Sequence, residues 1–226
     1  MPTKYTKTVR RDAARARRCI LDAAVQLFHQ RGLDQVTFGD VARRARLSRP
    51  LVYFYFPDMR TLLLEAVLLG TRELRQRFDA AVNPKLNGLA EAAALGRAYL
   101  QFHFDRPELF FLCMATGPRL SGHGEPSALE RLLLNEEQGA MDLVARAVAR
   151  GIQDGSIRPD VGDPKTVALS LWGLSHGLAQ CSSAQGQVME QHYQVPVQLF
   201  LETGFALLTE SLAARPAKKT KSKAKR

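Results

Sequence analysis

Arg43, Arg44, Arg46 and Arg49 crowd one short stretch of the chain, with Ser48 among them and Tyr53 and Tyr55 just beyond. A guanidinium is a rigid fork of donors that fits phosphate oxygens and the O6/N7 edge of guanine, and hydroxyls donate to phosphates. The chemistry on offer is recognition of anions and base edges. Bond-making chemistry is poorly supplied: no nucleophile–base–orienter set, phosphate-binding glycine loop or metal-ligand spacing is visible. Cys19, Cys113 and Cys181 are odd in number and far apart. They read as buried thiols of a reducing compartment, with oxidation sensing at Cys113 as the alternative. The expectation is no catalytic residue, no metal and no cofactor.

The elements that must position the arginines lie between Thr37 and Leu62, in TFGDVARRARLSRPLVYFYFPDMRTL. Thr37 is of the capping type, and Asp40 three positions on completes a capping box with Asp in the usual Glu/Gln place. Phe38, Val41, Ala42 and Ala45 recur at helical spacing and face a core. Arg46 and Leu47 make a turn, with Leu47 inward. Ser48 caps a second helix, and Pro50 sits in its first turn, where a missing N–H costs nothing. Val52 and Phe56 pack down, leaving Arg49, Leu51, Tyr53 and Tyr55 on the open side or its edge. Pro57 disfavours helical geometry at Phe56 and keeps this helix short. The pattern is a helix-turn-helix, whose second helix enters a DNA major groove. The plainer alternative is a helical hairpin with a basic solvated face.

The segment from Arg17 to Leu63 resembles the DNA-binding domain of TetR-family transcriptional regulators. Phe28 and Gly32 end a first helix, and Thr37, Val41-Ala42, Ala45-Arg46-Leu47-Ser48, Tyr53, Phe56 and Leu62-Leu63 follow in the family's order and spacing. Two positions depart from the pattern. Arg46 replaces the turn glycine, a cost on the order of 1 kcal/mol if its φ is positive. Met59 replaces a lysine that touches a phosphate in the family, and Arg60 points about 100° further round a helix. The resemblance implies an all-α fold: an N-terminal three-helix DNA-binding domain and a C-terminal helical domain for ligand binding and dimerisation. Its expected bounds are a basic flexible arm at 1–16, the helix-turn-helix domain at 17–62, the body at 63–213 and a disordered basic tail at 214–226.

Charge is distributed accordingly. Residues 1–60, 61–214 and 215–226 carry balances of +8, −5 and +7, which make the net +10. A basic head and tail flanking a mildly acidic body suit nucleic-acid binding by the ends alone. The arm, with Lys4, Lys7, Arg10, Arg11 and Arg15, either follows the DNA backbone or minor groove or is merely solvated. The tail, RPAKKTKSKAKR, adds sequence-independent affinity or has no partner. No secretory signal is apparent, and Thr166–Met189, though free of Asp, Glu, Lys and Arg, is too polar to cross a bilayer. A cytoplasmic protein is expected.

The body reads as helices throughout. Residues 17–31 carry an apolar face of Ile20, Ala23, Ala24, Leu27 and Phe28 and close at Gly32. Further helices are expected at 58–82, 88–104, 107–116, 127–154, 163–181 and 195–213, with a loop at 117–126. By the resemblance, the helix at 58–82 links head to body. Tyr99, Phe102, His103, Phe110 and Met114, with Trp172 and His176 one turn apart, are either core or the lining of an apolar effector cavity. Helices 163–181 and 195–213 are apolar on more than one face and need more than one neighbour. The resemblance makes them a dimer-forming four-helix bundle, with Leu171, Leu174, Leu178, Leu201, Phe205 and Leu208 at the interface.

The function expected is a sequence-specific DNA-binding regulator: a repressor dimer on a (pseudo)palindromic site of double-stranded DNA, released by a small hydrophobic effector, with no membrane partner. Arg49 is the base reader, Pro50 and Leu51 meet a thymine methyl, and Thr37, Ser48, Tyr53 and Tyr55 hold phosphates. Arg43, Arg44 and Arg46 add charge. The competing classes are a weakly specific architectural DNA binder driven by arm and tail and, more distantly, an all-helical enzyme using His103, His176 or Cys113.

Overall fold

The computed structural model describes residues 4–115 and 125–214. Among these the chain is helical from end to end: α1 (Lys4–Arg31), α2 (Phe38–Ala45), α3 (Arg49–Tyr55), α4 (Met59–Ala81), α5 (Gly88–Asp105), α6 (Pro107–Ala115), α7 (Ala128–Asp154), α8 (Pro164–Gln191) and α9 (Val197–Leu212). Two compact units form, one of Met1–Arg77 and Gln101–Ala140, the other of Phe78–Leu100 and Met141–Arg226.

The first unit is built on α1. Ile20, Ala23, Ala24, Leu27 and Phe28 are buried, as their spacing predicts, with Leu21 and Val25 beside them. They meet Val41 and Ala42 of α2 and Val52 of α3, all buried. The helix starts at Lys4 rather than Arg17. Once a helix is nucleated by its anchored half, each further residue adds a bond, and the Ala- and Arg-rich segment before Arg17 contains no breaker. The stop at Gly32 is as expected, with φ 83° there.

The expected division after Leu62 does not coincide with a gap in packing. Gly70 lets α4 close on α6: a Cβ there would stand 2.7 Å from Cys113 Sγ and 3.3 Å from Leu109. Arg60 and Arg72 of α4 pair with Glu130 and Glu136 of α7. Helix α4 as far as Arg77 therefore belongs to the same unit as the helix-turn-helix, together with 101–140.

In the second unit Val148, Ile157, Val167 and Leu212 form a core, flanked by Leu89, Ile152, Val161 and Leu171. Gly88 and Gly151 bring α5 and α7 into backbone contact that no side chain fits. Asp163 caps α8 by accepting from the Thr166 N–H at 2.9 Å. This helix runs to Gln191, well past the expected end at Cys181, because no Pro intervenes and Ser182 is buried. It ends where Gln194 takes φ 56° and Pro196 follows.

Most of the loop expected at 117–126, and the tail from Arg215 on, lie outside the described residues. Among the described residues no helix is long and apolar enough to cross a membrane. Cys19 and Cys181 are exposed rather than buried. Cys113 of α6 is half-buried with its sulfur turned against Gly70 of α4, and desolvation pushes its thiol up to about 12, far from the thiolate state that reactivity needs.

Candidate functional site

The helix-turn-helix is set by local hydrogen bonds. The Thr37 N–H donates to Asp40 Oδ2 at 3.1 Å, and the Asp40 N–H donates to Thr37 Oγ1 at 3.2 Å. The Thr37 hydroxyl also donates to Asp40 at 2.6 Å, so its proton is engaged inside the capping box. These bonds, with Arg31 beside them, hold the Asp40 carboxyl down at about 2. Arg46 turns the chain in the left-handed conformation, φ 57° and ψ 40°, and its N–H donates to the Ala42 and Arg43 carbonyls. This is the strained geometry for which glycine is better suited. Ser48 holds the N-cap position of α3, but its side chain makes no capping bond; the turn is closed by backbone bonds from Leu51 and Val52 to its carbonyl.

Val52 and Phe56 are fully buried and fix the orientation of α3. Arg43, Arg44, Arg46, Ser48, Arg49, Pro50 and Tyr53 are exposed, while Leu51 and Tyr55 are half-buried at the edge. Arg43 reaches Asp40 at 3.3 Å and Arg44 reaches Gln30 at 3.3 Å. Arg49 donates to the Tyr53 hydroxyl at 3.2 Å, and Tyr53 stands edge-on to Phe38 with ring centres 4.6 Å apart. Arg49 and Tyr53 thus share one face of α3. Arg60 is directed to Glu130.

Phe54 is the residue that sequence reading overlooked. It is 79% exposed in the last turn of α3, its ring 5.2 Å from that of Tyr55. The signal was present: 54 lies two residues from both Val52 and Phe56, about 200° from each, and so opposite the buried face.

The second unit holds an apolar cavity of about 60 Å³, lined among others by Phe78, Leu95, Tyr99, Met141, Val144, Leu171, Trp172, Phe205 and Leu208. The Tyr99 hydroxyl lies 3.2 Å from His176 Nδ1, and Trp172 stacks on His176 at 5.8 Å. Burial lowers the His176 pKa and so favours the neutral imidazole. Of the expected effector residues, Tyr99 and Trp172 line this cavity and His176 adjoins it. Phe102, His103, Phe110 and Met114 do not: they belong to the first unit, where Phe102 and Phe110 are core and the His103 ring meets Phe110 edge-on at 4.6 Å. Phe102 and His103 follow Tyr99 at i+3 and i+4 and so share its side of α5, but Tyr99 meets His176 of α8 whereas Phe102 and His103 meet Phe110 of α6, which aromatic density along the sequence does not resolve.

The expected dimer residues are also redistributed. Leu201 is 3% exposed within one chain, Leu171, Phe205 and Leu208 line the cavity, and Leu178 packs on Gly204. Leu174 alone of the six is exposed, in the company of Leu169, Trp172, Leu199 and Leu207. Both helices are apolar on two faces, and the stripe chosen from sequence is mostly the inward one. Among the described residues no cluster of His, Cys, Asp and Glu is placed to hold a metal.

Residues 20–66 match the family model of bacterial regulatory proteins of the tetR family, and residues 92–203 match that of the tetracyclin repressor-like C-terminal domain. The chain belongs to the TetR family. The HTH-type transcriptional regulator BetI of Cronobacter sakazakii is 30% identical over 98 residues, 43% of this chain and 48% of that one. The chain therefore spans about half the length of this curated relative. The crystal structure of a tetR-family regulatory protein from Rhodococcus RHA1 superposes with TM-score 0.71 at 17% identity, covering 89% of this chain and 98% of that chain. FadR of Bacillus subtilis, solved in complex with stearoyl-CoA, gives TM-score 0.67 at 16% identity, covering 86% and 98%. At these identities the structures speak for the TetR fold, with its helix-turn-helix head and helical body.

Proposed function

We propose that this TetR-family chain is a cytoplasmic repressor that binds a (pseudo)palindromic operator as a homodimer. The observation that carries this reading is the exposed face of α3. Arg49, Pro50, Tyr53 and Phe54 stand out from a helix pinned beneath by Val52 and Phe56. Arg49 reads a guanine, Pro50, Leu51 and Phe54 give apolar contact to thymine methyls, and Ser48, Tyr53 and Tyr55 hold phosphates. Thr37 contributes through the N-terminus of α2 rather than its hydroxyl, since the hydroxyl serves Asp40. Arg43, Arg44 and Arg46 supply backbone charge.

The dimer forms through the exposed apolar face of α8 and α9, where Leu169, Leu174, Leu199 and Leu207 gather with the open flanks of Gly173 and Gly177. Such a face in water calls for a partner, and two-fold symmetry places two recognition helices on successive half-sites. A small hydrophobic effector occupies the cavity beside Tyr99 and Trp172. It releases DNA by binding better to the state whose heads do not match the operator spacing.

The test is fluorescence-anisotropy titration of the full chain against DNA flanking its own gene, at physiological salt with excess nonspecific competitor, with and without residues 215–226. Saturable binding of two protomers to a palindromic fragment, surviving tail removal, supports the reading. Binding that disappears with competitor or with the tail favours a weakly specific architectural binder.

A further inference from the structure

We infer that α3 reads pyrimidine C5-methyl groups through Phe54, so that 5-methylcytosine stands in for thymine in the operator. This inference rests on the proposed role of α3 as the recognition helix. The helix, Arg49–Tyr55, contains no Asn, Gln, Asp or Glu. Bidentate readout of adenine uses a carboxamide, and the cytosine amino group is read by a carboxylate. Neither group is present. The one fork of donors is Arg49, which suits guanine, and the Tyr53 hydroxyl already accepts from it at 3.2 Å. Other base pairs must be told apart by shape and apolar contact.

The middle of the open face is apolar. Val52 and Phe56 are fully buried beneath α3. Pro50 and Phe54 lie two residues before and after Val52, each about 200° round the helix from it. They are one turn apart and share that outward face. Pro50 is exposed, and Phe54 is 79% exposed. The Phe54 ring stands edge-on to Tyr55, with centres 5.2 Å apart and planes at 83°. Tyr55 is half-buried at the edge of the helix, so it steadies one side of the ring and leaves the rest in water. Burying that ring against an apolar group gains in proportion to the area removed from water. The exposed Arg43, Arg44 and Arg46 nearby suit the phosphates that border a groove.

The apolar group that base edges present in the major groove is the C5-methyl of thymine. 5-Methylcytosine carries the same methyl on the same ring carbon. The two bases differ at C4, carbonyl against amino group, and in the purine opposite. Sensing that difference takes a hydrogen-bonding side chain, which Pro50 and Phe54 are not. Thymine and 5-methylcytosine beneath Phe54 are therefore bound alike, and uracil or cytosine more weakly. An operator with cytosine at that position is occupied according to its methylation.

The experiment first uses the full chain to select duplexes from a random-sequence pool at physiological salt. The selected consensus is then titrated by fluorescence anisotropy with each thymine in turn replaced, in both half-sites, by deoxyuridine, cytosine or 5-methylcytosine, with guanine facing the last two. At one position or more, deoxyuridine is expected to weaken binding about fourfold per half-site, about 16-fold for the two together. 5-Methylcytosine there should bind within about twofold of thymine and about 16-fold tighter than cytosine. The base series uses the natural chain, so it tests the inference whatever the folding of any variant. Phe54→Ala should erase both preferences and keep discrimination at guanine, which belongs to Arg49. A consensus without thymine, equal binding of thymine and deoxyuridine at every position, 5-methylcytosine no tighter than cytosine, or both preferences intact in Phe54→Ala overturns the inference. In those cases loss of guanine discrimination in Arg49→Ala still upholds α3 as the recognition helix, and its retention removes both readings. A pool that yields no consensus overturns sequence-specific recognition and the inference together.

Discussion

The Arg49 guanidinium reaches the hydroxyl of Tyr53 one turn along α3, at 3.2 Å, and its carbon lies 5.6 Å from the centre of the Tyr53 ring. The aromatic ring holds the fork against the helix face, so the arginine is partly oriented before DNA arrives. Arg49→Ala should cost roughly 1–3 kcal/mol on the operator and relax specificity at one base pair per half-site. Competition binding against single-base operator variants measures this. Unaltered discrimination would remove Arg49 as the base reader.

Arg46→Gly should act on stability and DNA binding in opposite directions. The left-handed φ of 57° costs a non-glycine residue on the order of 1 kcal/mol, which glycine recovers. The same change deletes a charge near the proposed phosphate contacts, so affinity falls and its salt dependence becomes shallower. Urea denaturation and anisotropy at several salt concentrations separate the two effects.

The capping box gives a pH signature. Hydrogen bonds from the Thr37 hydroxyl and N–H, then Arg31, hold Asp40 at about 2 in the folded chain, against an ordinary value of 3.8. Between these values the unfolded chain binds the extra proton. The stabilisation is therefore complete above about pH 4 and is lost as pH falls toward about 2. Denaturation midpoints of the wild type and Asp40→Asn should converge over that window and stay apart above it. A gap that is constant with pH would contradict the assignment.

Gly96→Ala tests the cavity wall. A Cβ at Gly96 would stand 2.5 Å from the Phe205 ring, which must shift within the lining. Overpacking of this kind costs about 1–3 kcal/mol. The expected result is a lower denaturation midpoint in urea, with ligand-free operator binding unchanged.

Leu174→Arg places a charge on the apolar face of α8, where Leu174 is 54% exposed in one chain. Because the side chain is open, the folded protomer should keep its helicity. If this face forms the dimer, sedimentation should show association weakened on the order of 100-fold or more, since an unpaired charge is buried. Leu207→Asp, at a position 63% exposed, should do the same on α9.

The sequence by itself determined the parts governed by short-range rules. Thr37 and Asp40 cap α2, Pro57 stops α3, Gly32 stops α1, and Asp163 caps α8, because each signal acts within a few residues of itself. The burial of Val52 and Phe56 followed from their i, i+4 spacing. Where a helix is apolar on two faces, spacing fits both, and the neighbouring helices decide. That is why Leu201, Phe205 and Leu208 turn inward while Leu169, Leu199 and Leu207 are exposed. It is also why Tyr99 joins His176 at the cavity, whereas Phe102, one turn further on, packs with Phe110 of α6 in a separate core. The two groups adjoin in sequence, and only the packing of α5 against different helices along its length divides them.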